Sequence, residues 1–134
     1  PIPHRLQLMK NGGLTVIDDT YNANPVGVRE ALKILSQFGG RRIVVTPGMV
    51  ELGKQENAEN FAYGNEIAHV ADLVILIGKN RTLPIKEGLI QAGFDEDKIL
   101  TFKSLADAER EFGVIMKTGD TILFSNDLPD NYTE

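Results

Sequence analysis

The string Val16-Ile17-Asp18-Asp19-Thr20-Tyr21-Asn22-Ala23-Asn24-Pro25 runs an apolar, β-branched pair into carboxylates, a phenol and two amides. All of these side chains can hydrogen-bond a polar ligand. Asn24 is a good helix N-cap and Pro25 a good first helical residue, so a helix should begin there. Its free backbone N–H groups and the positive end of its dipole then suit a phosphate or another anion. Asp18 and Asp19 are adjacent in an extended segment and face opposite sides. Asp19, nearer the end, is the better candidate to face a ligand. On residue types alone the same string also makes a capped turn with no ligand, because Asn, Asp and Pro are common turn formers.

Three further stretches carry comparable chemistry: Thr46–Gln55 (TPGMVELGKQ), Gly78–Arg81 (GKNR) and Ser125–Tyr132 (SNDLPDNY). Glu51 suits a ligand ammonium or a domain contact, and a solvated loop glutamate is the plain alternative. Asn126 and Asp127 are acidic or amidic groups that favour an ammonium over a carboxylate, whereas Lys79 and Arg81 suit a carboxylate. His4 and His69 are far apart and lack carboxylates or cysteines at metal-ligand spacing, so no metal site is expected; His69 reads as a helix-end residue. Thr20, Thr46 and Ser125 lack a histidine–acid arrangement, which argues against hydrolase catalysis.

The elements that must position these residues follow from periodicity. Arg5–Asp19 reads as two short strands joined by a turn at Asn11-Gly12-Gly13, an antiparallel hairpin. Val28, Ala31, Leu32 and Leu35 mark one helical face, ending near Gly39-Gly40. RIVVTP (42–47) reads as a buried-type strand, and DLVILIG (72–78) is the strongest strand signal, apolar as expected for a strand covered on both faces. A helix is expected over about 57–70, starting near Glu56 and Glu59, and another around Ile85 and Leu89 is closed by Gly93. KILTF (98–102) is a short strand, Ser104 caps a helix carrying Ala108 and Phe112, with Asp107 as a capping-box partner, and DTILFS (120–125) closes the sheet. Strand and helix alternate from Thr15 onward, which specifies a three-layer, Rossmann-like α/β domain with a mostly parallel sheet and an N-terminal antiparallel hairpin. In such sheets ligands sit outside the carboxyl ends of the strands. All four polar stretches fall there.

Composition narrows the function classes. The 134 residues make one domain, and 42% hydrophobic with 25% charged residues is the balance of a globular chain rather than a disordered one. A net charge of −5 argues against a nucleic-acid surface. Absence of cysteine excludes disulfides and thiolate chemistry. No apolar run is long enough to span a bilayer and no signal peptide is visible, so a cytoplasmic monomer is expected. The start at Pro1 without a methionine suggests one domain, residues 1–134, of a longer protein.

Pro3-His4-Arg5, the Asp18–Pro25 string (DDTYNANP) and Gly48–Gly53 (GMVELG) occur in an order and spacing that resemble the C-terminal domain of the Mur ligases. The resemblance covers nearly the whole chain and is greatest to the branch that adds D-alanyl-D-alanine. It implies an ATP-dependent, amide-bond-forming ligase of peptidoglycan precursor synthesis, which activates a UDP-MurNAc-peptide carboxylate as an acyl phosphate for attack by an amine. This domain would close over ATP and Mg2+, held mainly by a central domain, and present the dipeptide amine; alone it should be inactive. The resemblance assigns Arg5 and Asp19 to ATP, with Tyr21, Asn22 and Asn24 nearby. At a strand end or entrance, Arg5 and Asp19 should each be only modestly buried. A departure stands at Asn126, Asp127 and Asp130, where many relatives are basic or glycine-rich, which leaves the amino substrate open. No G-x-x-x-x-G-K-[ST] phosphate loop is present. A dinucleotide-binding module lacks its G-x-G-x-x-G, and a receiver-like signalling domain, with Asp18 or Asp19 phosphorylated and Lys79 as partner, leaves the Tyr21–Pro25 run without a role.

Overall fold

The computed structural model describes residues 2–19, 23–125 and 134, the side chain of Arg5 excepted. A parallel sheet forms the middle layer, built from β1 (Thr15–Asp18), β2 (Arg42–Thr46), β3 (Leu73–Ile77), β4 (Ile99–Phe102) and β5 (Thr121–Phe124) in the order β1-β5-β2-β3-β4. Every pairing is parallel. The last strand does not close an edge. It enters between β1 and β2, with Ile17 opposite Leu123 and Ile43 opposite Ile122.

Strand residues alternate between two apolar layers, as a period of two requires. Val44, Val74, Leu76 and Leu123 face one side. There they meet Val28, Leu32 and Leu35 of α2 (Pro25–Leu35), Tyr63 and Ile67 of α3 (Glu56–Ala68), and Ile85 and Leu89 of α4 (Leu83–Gln91). Ile43, Val45, Ile75, Ile77, Ile122 and Phe124 face the other side, against Leu6 of α1 (His4–Lys10) and Leu105, Ala108 and Phe112 of α5 (Leu105–Ile115). Each fully buried Leu, Ile or Phe contributes about 1.5–3 kcal/mol over an exposed one. Both layers therefore depend on the same strands.

The expected N-terminal hairpin is absent, because Arg5–Lys10 is helical and β1 pairs in parallel with β5. The Asn11-Gly12-Gly13 turn suggested a hairpin, yet Arg, Leu, Gln, Met and Lys are all strong helix formers and none is β-branched. Packing decides between the two. Leu6 and Met9, three apart, turn to the α5 layer, while Leu8 is left exposed. The Asn11–Gly13 turn remains, with Gly13 at φ 97°, and joins α1 to the amino end of β1.

α3 and α4 touch through glycine. A Cβ on Gly64 would stand 2.2 Å from the Ile85 carbonyl oxygen, and one on Gly88 would stand 2.1 Å from that of Phe61. Asn65 Nδ2 donates to the Gly88 carbonyl at 2.6 Å across the same contact. At the opposite, amino edge of the sheet, Arg41 donates to both carboxylate oxygens of buried Asp120 at 3.1 and 2.6 Å.

Candidate functional site at the carboxyl edge of the sheet

Because β1, β5, β2 and β3 are neighbours and parallel, the chain leaves all four strands along one continuous edge. At β1, the Asp19 amide donates to the Phe124 carbonyl at 2.9 Å and so extends the ladder by one residue. Asp18 is exposed at this end and Asp19 is buried. That departs from the modest burial expected of Asp19. It follows from the ladder, which continues through Asp19 and turns its side chain inward.

Beneath the edge lies a polar cluster. The Tyr63 hydroxyl, on α3, shares a hydrogen bond with Thr46 at the end of β2 and lies near Asp19. Burial pushes the Tyr63 phenol well above its ordinary pKa. The nearby Asp19 and Glu66 carboxylates push it the same way, against the opposing effect of the Thr46 hydrogen bond.

Thr46 Oγ1 also accepts from the Gly48 amide at 3.0 Å. Asn60, buried on α3, accepts from the Met49 amide and donates to the Met49 carbonyl, both at 2.9 Å, and also donates to the Glu56 carbonyl at 3.0 Å. The Gly48–Gly53 loop is thus clamped from below by side chains. Its backbone takes positive φ at Gly48 (84°), Glu51 (62°) and Gly53 (60°). Glu51 is the one non-glycine with positive φ among the described residues, and its side chain is exposed.

Asn24 caps α2 by accepting from the Gly27 amide at 2.9 Å, with Pro25 as the first helical residue. At the third strand, Lys79 is exposed, whereas Arg81 folds back: its Nε donates to the Pro47 carbonyl at 3.0 Å, tying the β3 loop to the β2 loop. The amides of Asn80 and Arg81 both donate to the Glu134 carboxylate, the latter at 3.0 Å. Arg5 lies in the first turn of α1, at the end remote from the Asn11–Gly13 turn. Tyr21, Asn22, Asn126 and Asp127 fall outside the described residues. Among the described residues no cluster suited to a metal ion occurs, and no helix is long and apolar enough to cross a membrane.

Thr46, Asn60, Tyr63 and Glu134 are the members of this edge that sequence reasoning did not assign. Asn60 and Tyr63 had a signal. They share the buried stripe Asn60, Tyr63, Gly64, Ile67 of α3, where an amide at a core position needs a partner.

A family model described as "Mur ligase, glutamate ligase domain" matches residues 4–126. The chain belongs to the Mur ligase family. It is 32% identical over 124 residues to the UDP-N-acetylmuramoyl-tripeptide–D-alanyl-D-alanine ligase of Escherichia coli, covering 88% of this chain and 27% of the relative. Against the ligase of the same name from Bacillus subtilis it is 30% identical, with 90% and 27% covered. The chain thus spans about a quarter of the length of these Mur ligases. In three dimensions it is similar to the MurF ligase of Thermotoga maritima in complex with ADP, with a TM-score of 0.70 at 25% identity, over 85% of this chain and 25% of that one. MurF from Acinetobacter baumannii gives 0.68 at 28% identity, over 83% and 24%.

Proposed function

We propose that this chain is the C-terminal domain of an ATP-dependent, amide-bond-forming ligase of peptidoglycan precursor synthesis, acting in the cytoplasm. In that reading the carboxylate of a UDP-MurNAc-peptide takes the terminal phosphoryl group of ATP and ADP is released, the nucleotide being held mainly by a central domain, where Mg2+ would neutralise phosphate charge. The amine of D-alanyl-D-alanine then attacks the acyl phosphate, losing a proton and expelling phosphate as the amide forms. The residues described here would complete the nucleotide site on closure and present the amine.

The observation that carries this reading is the meeting of the family match with a continuous carboxyl edge, which holds the Asn24-capped start of α2 after β1 and the clamped Gly48–Gly53 loop after β2. A helix start of this kind suits nucleotide phosphates. Arg5, Tyr21, Asn22 and Asn24 are assigned to ATP together with Asp19, which is buried beside Tyr63. Glu51, Lys79, Arg81, Asn126 and Asp127 are assigned to the amine substrate. A receiver or dinucleotide module would not account for a match over residues 4–126.

The test is phosphate release by the enzyme that carries this domain. Release from ATP should require UDP-MurNAc-tripeptide and D-alanyl-D-alanine together. Equal release with single amino acids in place of the dipeptide would refute the D-alanyl-D-alanine assignment.

A further inference from the structure

We propose that Asn60 is a positioning residue for the ligase reaction. From beneath the carboxyl edge it sets the backbone of the Gly48–Gly53 loop and, through that backbone, the place of the Glu51 carboxylate. Asn60 is buried on α3. Its Oδ1 accepts from the Met49 amide, and its Nδ2 donates to the Met49 and Glu56 carbonyls. Exchanging both bonds with one backbone residue is what a neighbouring strand does in an antiparallel ladder. The side chain thereby fixes two consecutive peptide groups. Gly48 lets the amide come this close, since a Cβ there would stand 3.1 Å from Asn60 Oδ1 and 3.2 Å from Ile85 Cδ1. Thr46 Oγ1 completes the clamp by accepting from the Gly48 amide.

Two residues beyond the clamp, Glu51 takes φ 62° without being glycine. In that conformation its Cβ crowds the following carbonyl, so the conformation persists only where the surroundings hold it. They hold it on both sides. Met49 is buried and bonded to Asn60, and Leu52 packs against the core beneath α3. Between these two anchors Glu51 is the exposed residue. A loop that needed only to turn would take glycine at this φ, as it does at Gly48 and Gly53. The position instead keeps a carboxylate in a disfavoured backbone conformation.

An exposed carboxylate suits an ammonium group. That this ammonium belongs to the amine substrate rests on the proposed function. A loose loop would carry the same charge but would have to be ordered as the amine binds. The clamp orders it beforehand, so its loss should register in affinity for the amine rather than in turnover.

The test is a double-mutant cycle in the ligase that carries this domain, read as KM for D-alanyl-D-alanine at saturating ATP and UDP-MurNAc-tripeptide. Glu51→Gln and Asn60→Ala should each raise that KM about tenfold while kcat and KM for ATP stay within about twofold. Because Asn60 acts through Glu51, the double variant should be no worse than Glu51→Gln alone. Thr46→Val, which takes the hydroxyl from the Gly48 amide, should move the same constant in the same direction. It carries the cycle if Asn60→Ala does not fold. Losses that multiply in the double variant, or a fall in kcat with KM unchanged, would make the clamp purely structural and overturn the proposal. An unchanged KM in Glu51→Gln would overturn it as well. Phosphate release that ignores the dipeptide in the native enzyme would overturn the proposed function together with this one, whereas normal dependence with multiplying losses overturns only the role of Asn60.

Discussion

At the scale of single residues, Asp19 and Tyr63 separate what the edge offers a ligand from what the fold keeps for itself. Asp19 is buried beside the Tyr63 phenol, so truncation removes a group from a desolvated cluster. Asp19→Ala should cost about 1–3 kcal/mol in urea unfolding of the chain, and a loss within measurement error would show that Asp19 contributes only at the ligand. In the ligase carrying this domain, Asp19→Ala or Arg5→Ala should lower kcat/KM for ATP by about ten- to a hundredfold, the effect of losing roughly 1.5–3 kcal/mol. UDP-sugar affinity should hardly change. Tyr63 gives a pH signature. Its folded pKa is raised above the unfolded value of about 10. Below that pH both states hold the proton, so the full stability is present. Above it the unfolded chain ionises first, and stability falls by up to about 1.4 kcal/mol per pH unit. Urea unfolding between pH 8 and 11 should show this decline, and Tyr63→Phe should lack Tyr63's share of it. Identical alkaline limbs would place the phenol in water.

At the scale of elements, the α3–α4 contact yields the sharpest expectation. Alanine in place of Gly64 or Gly88 gains about 1 kcal/mol of helix propensity. It also drives a methyl group to within 2.2 or 2.1 Å of a backbone carbonyl oxygen. Overpacking of this kind costs about 1–3 kcal/mol or more, and backbone cannot swing aside as a flexible side chain can. Each substitution should therefore lower stability on balance, and a rise in the melting temperature would show that the helices separate freely. The same elements show what the sequence made legible. Asn24-Pro25 announced the start of α2, and Ser104 the start of α5, where it accepts from the Asp107 amide at 3.1 Å. The expected capping-box return from Asp107 is replaced by an ion pair with Arg110 at 2.9 Å. Apolar runs identified β2 and β3 because strands covered on both faces need no polar side. α1 is not legible from its own residues, since Leu6/Leu8 and Leu6/Met9 satisfy both periods and only the α5 layer decides between them. Nothing in DTILFS records that β5 enters between β1 and β2, since strand order is a property of the assembled layers. The Asn60 clamp and the Glu134 contact escaped for the same reason. Their partners lie 11 and more than 50 residues away.

At the scale of the whole molecule, sharing of strands between two helical layers governs both folding and ligand affinity. Val44 faces one layer while Ile43 and Val45 face the other, so neither layer can open without exposing the sheet beneath its partner. One cooperative thermal transition is expected, with far-ultraviolet and tyrosine signals coincident. Separate transitions would mean that the layers are independent. A sheet held this firmly keeps the carboxyl edge in place, but an ordered edge is not a complete nucleotide site. The sequence has no G-x-x-x-x-G-K-[ST] loop to wrap a triphosphate. What remains is a capped helix start, one clamped glycine-containing loop and the side chains around them, a minority of the contacts that ATP needs. Calorimetric titration of the chain with ATP should accordingly give a Kd weaker than roughly 1 mM, less than about 4 kcal/mol of binding free energy. The same preparation should release no phosphate from ATP. Micromolar affinity or measurable turnover would mean that this edge alone carries a full nucleotide site, and the division of labour with a central ATP-binding domain would then be wrong.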